Sequence, residues 1–418
     1  MDKISISLLY LFLIAGYQAI FSQDNVPPST SPPNGLNPQN IPMLVSIGFD
    51  DNTCPTGIKW ACDFLRDKVN NSHNGNPLTF DGTPVRVTFL IIAQWPNDEW
   101  NIASMDGHEI GNHTLTHHEG GLSWTEDVQY CNDTIAKYCP NATIYGFRTP
   151  RLEYDAGTWS AVKSFGFTYD CSIEHDNWGS PVWPYTLNNG LHSSANLDGK
   201  TPPSNMGGTW EIPVHELNGM TGFDFNYYDA GKANAYGNAL KQDLDSRYSG
   251  NRCPLIINAH TEYYSEEWPE ENPNIHWNST IEQRREILAD VIDYALTKPD
   301  VRIVPIIDII RWMRNPVELG ATYISDNAQI AGAAIKAQIK KVLSTSIDIS
   351  VPKAGIYSLV LYSANGRRIK TVFSGCLAQG STSVNYRMEA IHEGLYILKL
   401  LGADRRVSAV KKVMILVD

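Results

Sequence analysis

Short apolar runs and amphipathic stretches alternate along most of this chain. Residues 44–49, 85–92, 144–147, 165–169, 255–259 and 301–307 are largely apolar, the pattern of strands buried on both faces. Helical periods lie between several of them. Ile58, Cys62, Leu65 and Val69 recur every three or four positions, and residues 281–296 form a second amphipathic run. Ser123 and Glu126 make a capping box ahead of Val128, Cys131, Ile135 and Tyr138. Such alternation predicts a parallel sheet with covering helices, open or closed into a barrel. From about 175 to 250 the rhythm gives way to Gly, Asn, Tyr and Trp, as in Trp178 to Tyr185, and predicts long loops that build a binding surface. Past Pro316 it changes again. Residues 320–341 are Ala-rich, and from Ser346 short β-type runs (355–362, 394–400) alternate with turns such as Asn365-Gly366, the pattern of a small β-sandwich.

The amino terminus stands apart from this pattern. An apolar run over residues 5–21 behind Lys3 reads as a signal peptide with cleavage near Ser22. Residues 23–41, rich in Pro, Ser, Asn and Gln, read as a flexible leader. No other stretch is long and apolar enough to span a bilayer. The expected organisation is therefore a signal peptide at 1–22, a leader at 23–41, a main domain at 42–318, a linker at 319–341 and a β-sandwich at 342–418. The protein is expected to be secreted or held at the cell surface. The 7 cysteines fit an oxidising compartment, with at least one left over. Cys131 and Cys139 bracket the helix that the capping box starts. At about 1.5 Å per residue they stand roughly 12 Å apart, too far to bridge one another. If oxidised, their partners lie elsewhere, with Cys54 and Cys62 as candidates.

The formal net charge of −12 is unevenly placed. From Lys336 onward there are 13 basic and 5 acidic residues, leaving 20 basic and 40 acidic in the remainder. So acidic a main domain excludes nucleic acid as its partner. The high aromatic content, with 11 Trp and 20 Tyr, suits contact with sugar rings, although most single rings in any protein serve the core.

Four places carry candidate chemistry. Asp50-Asp51 closes the first apolar run, where one carboxylate can bind a metal while its neighbour serves as a base. His113 and His117, four apart after Gly107 to Asn112, have the spacing of metal ligands on one helical turn. His118 then points away, and His108 is structural. Arg148, in Arg148-Thr-Pro-Arg151, closes another strand, where a cation beside a catalytic carboxylate keeps it ionised. His260 ends the run 255–259, at the strand end where barrel sites assemble.

In this order the residues resemble the NodB-homology polysaccharide deacetylases, carbohydrate esterase family 4, over about residues 42–316. The motifs are Gly48-Phe-Asp-Asp51, His113 to His117, Arg148 to Arg151, and His260. Residues 169–173, 181–187, 210–213 and 310–316 are similar to the chitin deacetylase-like branch. The resemblance implies a distorted (β/α) barrel of the NodB-homology type, here followed by a C-terminal β-sandwich domain. It implies a divalent metal, zinc, on Asp51, His113 and His117. Asp50 would be the general base, oriented by Arg148. The backbone N–H of Arg151 would help hold the oxyanion, and His260 would be the general acid. Asp170 fits best as the carboxylate supporting His260 or Arg148, with Asp176 and Trp178 as competitors, and Trp183 is a candidate wall of the acetyl pocket. Gly48 stands where the family has Thr, Arg151 where it has Tyr, and Asn258-Ala259 where it has an apolar pair.

The implied activity is metal-dependent removal of acetyl groups from a polysaccharide, with N-acetylglucosamine units of a chitin-type polymer as substrate. Ester deacetylation of acetylxylan and a catalytically inactive carbohydrate-binding protein are the alternatives. The tail resembles the C-terminal sorting modules of type IX-secreted bacterial proteins through Gly355-Ile-Tyr, Tyr362 to Gly366, Gly394 to Leu398 and Lys411-Lys412-Val. That makes secretion machinery an expected partner, with a carbohydrate-binding sandwich as the rival.

Overall fold

The computed structural model of the chain describes residues 24–176, 181–196, 206–217, 220–224, 232–267, 279–321, 338–342, 346–363, 368–385, 394–402 and 407–415. The signal peptide read at 1–22, Trp178, most of the 319–341 linker and the Asn365-Gly366 turn lie outside the described residues. The chain divides into two compact units. One holds the residues up to Asn70 with Pro84–Glu318, and the other holds Asn71–Thr83 with Leu319–Asp418.

The first unit is built on strands Met43–Asp50 (β1), Thr88–Ile91 (β2), Glu109–Asn112 (β3), Gly146–Phe147 (β4), Tyr169–Asp170 (β5), Glu174–His175 (β6), Tyr185–Thr186 (β7), Ala195–Asn196 (β8), Trp210–Glu211 (β9), Val214–Leu217 (β10), Met220–Thr221 (β11), Leu255–His260 (β12) and Val301–Ile303 (β13). Its helices are Pro55–Leu65 (α1), Glu99–Asp106 (α2), Trp124–Tyr138 (α3), Ala156–Phe165 (α4), Lys232–Ser249 (α5), Ile281–Thr297 (α6) and Ile306–Arg314 (α7). The main sheet runs β12-β1-β2-β3-β4-β5-β9-β7, with β13 also on β1. Its neighbours pair in parallel except β7 with β9. A small second sheet has the order β11-β10-β6-β8. The result is a curled, open (β/α) barrel. Every residue of β1 is buried, as a strand covered on both faces requires. Its apolar side chains Val45, Ile47 and Phe49 pack in one core with Ile58, Cys62 and Leu65 of α1 and Leu288, Val291 and Ile292 of α6.

The capping box at Ser123 and Glu126 starts α3 as its sequence predicts. The run 301–307 does not stay a strand. It stops at Ile303, and Pro305, which has no N–H for a ladder, caps α7 instead. The stretch read as loops from 175 to 250 contains all of α5, which buries Tyr236, Ala239, Leu240 and Leu244 on one face. Gly237 of that helix lies against Ile287 of α6.

Residues 24–41 are not a free leader. Val26 exchanges hydrogen bonds with Thr186, the N–H of Trp183 donates to Ser29, and Asp24 accepts from Trp210 Nε1 at 2.8 Å. Low apolar content did not prevent docking, because the segment is held through its backbone polar groups. Nor do the cysteines bridge. Six of the 7 are buried, among them Cys54, Cys62, Cys131 and Cys139 in the apolar interior. They act as small apolar side chains.

In the second unit, Gln338–Val342 (β14), Ser346–Val351 (β15) and Gly380–Asn385 (β18) form one antiparallel sheet in the order β14-β15-β18. Gly355–Ser363 (β16), Arg368–Leu377 (β17), Gly394–Gly402 (β19) and Val407–Ile415 (β20) form the other, in the order β17-β16-β19-β20. Ile347 and Ile349 of the first share a core with Leu359, Leu361, Leu398 and Leu400 of the second, which makes the unit a β-sandwich.

One close approach in the first unit is testable. A Cβ at Gly57 in α1 would lie 2.0 Å from the carbonyl oxygen of Thr261, a backbone atom that cannot step aside. Gly57→Ala should destabilise the protein by about 1–3 kcal/mol despite the better helix propensity of Ala. Denaturant unfolding that shows equal or greater stability would refute this packing.

Candidate functional site

Because the main strands run parallel, their carboxyl ends collect along one edge of the sheet. β1 ends at Asp50, β3 leads into His113, β4 leads into Arg148, and β12 ends at His260. The β1–β12 register sets Asp50 opposite His260.

Arg148 is fully buried and uses its whole fork. Nη1 donates to Asp50 Oδ1 at 2.7 Å, Nη2 to Asn258 Oδ1 at 2.8 Å and Nε to the Cys171 carbonyl at 2.8 Å. Burial works against the guanidinium's charge, but Asp50 more than offsets it, so Arg148 is held above its ordinary value. Both departures near this residue have a use. A Cβ on Gly48 would already sit 3.4 Å from Arg148 Nη1, so a branched Thr would crowd the guanidinium. Asn258 supplies an acceptor that an apolar residue could not.

Asp51 follows in a left-handed conformation with φ of 64°. Its Oδ1 is buried with no hydrogen-bond partner. His113 Nε2 lies 3.5 Å from that atom and His117 Nε2 3.8 Å from it. The three ligand atoms all fall within 4.8 Å of one another. His113 Nδ1 is 2.8 Å from the Arg148 carbonyl, which can only accept, so that nitrogen carries the proton and Nε2 keeps its lone pair. Burial lowers His113, and burial together with His113 and Arg151 lowers His117 to about 3. Both rings are therefore neutral at pH 7. Burial pushes the Asp51 carboxyl up to about 8, so a cation there would displace its proton. Its buried Oδ1, which no protein group satisfies, faces two imidazole lone pairs. One carboxylate oxygen and two imidazole nitrogens fit a zinc-like cation.

The two histidines do not share a helical turn. Residues 113–118 form a loop in which Thr114, His117 and His118 have positive φ. Asn112 Oδ1 accepts from Thr114 N–H at 2.8 Å. The buried carboxylate of Asp127 accepts from Leu115 N–H, Thr116 N–H and Thr116 Oγ1. His118 stacks on Trp124, with ring centroids 3.6 Å apart. His108 is structural, its Nδ1 accepting from Val87 N–H.

His260 has a carboxylate partner, and it is not Asp170. Asp224 accepts from His260 Nδ1 at 2.8 Å and from its backbone N–H at 2.9 Å. A parallel bridge between Phe223 and Asn258 lays that segment beside β12. Burial opposes the imidazolium, but Asp224, with help from Asp51 and Asp50, outweighs it and lifts His260 to about 10. Asp170 instead accepts from Ser172 Oγ at 2.7 Å, and Ser172 Oγ in turn accepts from Thr149 N–H at 2.9 Å. Asp170 thereby braces the loop after Arg148 without touching His260, and burial raises its own carboxyl to about 6. Asp176 donates its N–H to Ser194. The Arg151 side chain turns outward to pair with Glu119, leaving only its backbone, at φ of 53°, for the site. Trp183 is a core residue, stacked on Trp312 with centroids 5.9 Å apart.

Comparison with known proteins agrees with this geometry. The family profile described as Polysaccharide deacetylase matches residues 78–169, a span that holds His113, His117, Arg148 and Arg151. Over that span the chain is similar to polysaccharide deacetylases. It is 24% identical to chitin deacetylase 8 of Bombyx mori over 314 residues, 70% of this chain and 75% of that one. Among solved structures it is similar to a family 4 acetyl xylan esterase from Clostridium thermocellum, with 19% identity, TM-score 0.38, and 66% and 94% of the two chains covered. It is also similar to the chitin deacetylase of Colletotrichum lindemuthianum, with 15% identity, TM-score 0.36, and 64% and 88% covered.

Asp127 holds three donors of the histidine loop and touches neither histidine ligand atom. Asp127→Ala should cost about 1–3 kcal/mol of stability, because it strands buried N–H groups. It should also weaken zinc binding, as read by competition with a chelator. Unchanged zinc affinity would show that the loop holds its shape without Asp127.

Proposed function

We propose that this chain is a secreted, metal-dependent deacetylase that removes acetyl groups from N-acetylglucosamine units of a chitin-type polymer. The observation that carries the metal is the orphaned Asp51 Oδ1 facing two neutral histidines. Asp51, His113 and His117 would hold the ion, zinc. When bound it supplies Lewis acidity, acidifying water and polarising the acetyl carbonyl.

The chain's own residues supply the proton transfers. Asp50, fixed by Arg148, accepts the proton of the attacking water as the oxygen adds to the carbonyl carbon. The backbone N–H of Arg151 donates to the oxygen that gains negative charge. His260, protonated through Asp224, stands across from Asp50 and donates its proton to the leaving nitrogen as the C–N bond breaks. Acetate and a free amine result, and the amine product suits an acidic domain. The same groups would serve an ester, so acetylxylan is the other substrate to test. The sandwich at 338–415 holds none of these residues, which supports a role apart from catalysis. We read it as a sorting module that engages secretion machinery.

The test is acetate release from chitin oligomers and from acetylxylan, with zinc content measured on the same preparations. Asp51→Ala and His113→Ala should lose both zinc and activity, whereas Asp50→Asn should keep zinc and lose about 10²–10⁴-fold in kcat. Full zinc retention in the first two would overturn the ligand assignment, and a wild-type protein without zinc would favour the inactive carbohydrate-binding reading. Preferential release from acetylxylan would replace the chitin-type substrate.

The pH profile tests His260 separately. A general acid must be protonated, so activity falls as pH rises through its pKa. Removing Asp224 takes away the main stabiliser of the imidazolium, so Asp224→Asn should move the alkaline limb from near about 10 towards the ordinary 6.5. A limb that stays in place would exclude His260 as the acid.

A further inference from the structure

The pairing of β1 with β12 continues beyond the strands through side chains. Within the ladder, Asp50 sits opposite His260. Past its end, Thr261 Oγ1 donates to Asn52 Oδ1 at 3.1 Å. One residue further, Glu262 accepts from Thr53 N–H at 2.6 Å and from Thr53 Oγ1 at 2.8 Å. Glu262 is buried, with 2% of its surface exposed, so these bonds are shielded from water.

The turn they grip is one that side-chain-bearing residues rarely adopt. Asp51 and Asn52 have consecutive φ values of 64° and 60°, closed by Asn52 N–H to the Asp50 carbonyl at 2.9 Å. Such a turn persists only where its surroundings over-determine it. Asn52 Nδ2 donates to the carbonyls of Phe49 at 2.7 Å and Leu90 at 2.8 Å, and Trp100 Nε1 donates to the Asn52 carbonyl at 2.7 Å. Ile92 N–H donates to the Asp51 carbonyl at 2.9 Å. These contacts fix the turn from the β1 and β2 side. Thr261 and Glu262 fix it from the β12 side, and Gly57 of α1 closes on the Thr261 backbone.

We propose that Glu262 is a positioning residue that clasps the turn bearing Asp50 and Asp51 to the segment bearing His260, holding metal ligand, base and acid in one register. This rests on the metal-site reading above. A carboxylate suits the task because it accepts two hydrogen bonds from one residue and needs no proton of its own. Both Thr53 donors meet one oxygen, Oε1, so an amide could keep them, whereas truncation to Ala removes the acceptor and opens the clasp.

The test compares Glu262→Ala, Thr53→Val and Thr53→Ser in the full chain. The readouts are zinc affinity by chelator competition, kcat and KM at saturating zinc, and the thermal midpoint of the zinc-free protein. Glu262→Ala should weaken zinc about 10-fold or more and lower kcat by a similar factor with KM little changed. Thr53→Val should move zinc affinity and kcat the same way by less, since its N–H bond survives. Thr53→Ser, which keeps both donors, should behave as wild type. A purely structural Glu262 would lower the zinc-free thermal midpoint and leave zinc affinity and kcat alone, which would overturn the proposal. If Glu262→Ala does not fold, wild-type zinc affinity and kcat in Thr53→Val would overturn it equally. A wild-type protein that takes up no zinc would overturn the metal site and the clasp together, whereas normal zinc in wild type with unaltered affinity in the variants would overturn the clasp alone.

Discussion

A single buried guanidinium organises the active edge of this barrel. Arg148 is out of contact with water, and a buried cation is tolerable only when it is paired and its donors are used. It meets that condition by drawing on three parts of the sheet at once: Asp50 at the end of β1, Asn258 in β12 and the Cys171 carbonyl just past β5. Its own carbonyl then accepts from His113. One residue therefore fixes the proposed base, the tautomer of a proposed ligand and the spacing of four strand ends. Gly48 and Asn258 make sense only in relation to it. The first leaves room for the guanidinium, and the second supplies an acceptor for it.

The sequence disclosed the parts of this site that lie at strand ends, and for a physical reason. A fully buried parallel strand is an uninterrupted apolar run, so the first polar residue after it marks the edge where side chains converge. Asp50, Asp51, Arg148 and His260 could be found that way, whereas His113 follows Glu109-Ile-Gly-Asn112, which is no apolar run, and showed itself only by its spacing from His117. The helix starts at Ser123 and Thr280 were similarly explicit, because a capping box is a local device. Asp224 was not legible. It sits after a short hairpin in a stretch with no sustained period, and only the bridge from Phe223 to Asn258 brings it to His260. Asp170 was the natural candidate, since it ends a strand as the others do. Yet its carboxylate turns to Ser172, two residues on, because that hydroxyl is the nearest donor.

Other departures share a cause: local pattern reports burial well and tertiary hydrogen bonding poorly. The His113 to His117 spacing matched a helical turn, but Asn112 and Asp127 capture the backbone donors that a helix would need and stabilise positive φ instead. The segment 24–41 looked unattached because it has little to bury, yet it docks through backbone and amide groups on Thr186, Trp183 and Asn251. Cys131 and Cys139 looked like disulfide partners in search of mates. Burial pushes both thiols up, Cys139 to about 12, and both serve the core as thiols. In α5, Gly237 and two Asn residues hid a helical face that Tyr236, Leu240 and Leu244 define at intervals of four.

The proposed hydrolysis of an acetyl group asks opposite things of chemically identical side chains within a small space, and this fold meets the demand through partners. His113, His117 and His260 start from the same ordinary imidazole value of 6.5. Burial alone would make all three neutral. For His113 and His117 it does, because the Arg148 carbonyl offers no charge and Arg151 adds repulsion, so their lone pairs stay available for a cation. His260 is equally enclosed, but Asp224 contacts it at two atoms and reverses the outcome. A carboxylate that sequence order could not foretell thus separates a proton donor from two would-be ligands of the same residue type. That division is what general acid catalysis beside a metal centre requires. It is also why an aspartate outside the recognisable motifs matters as much to the chemistry as the histidine within them.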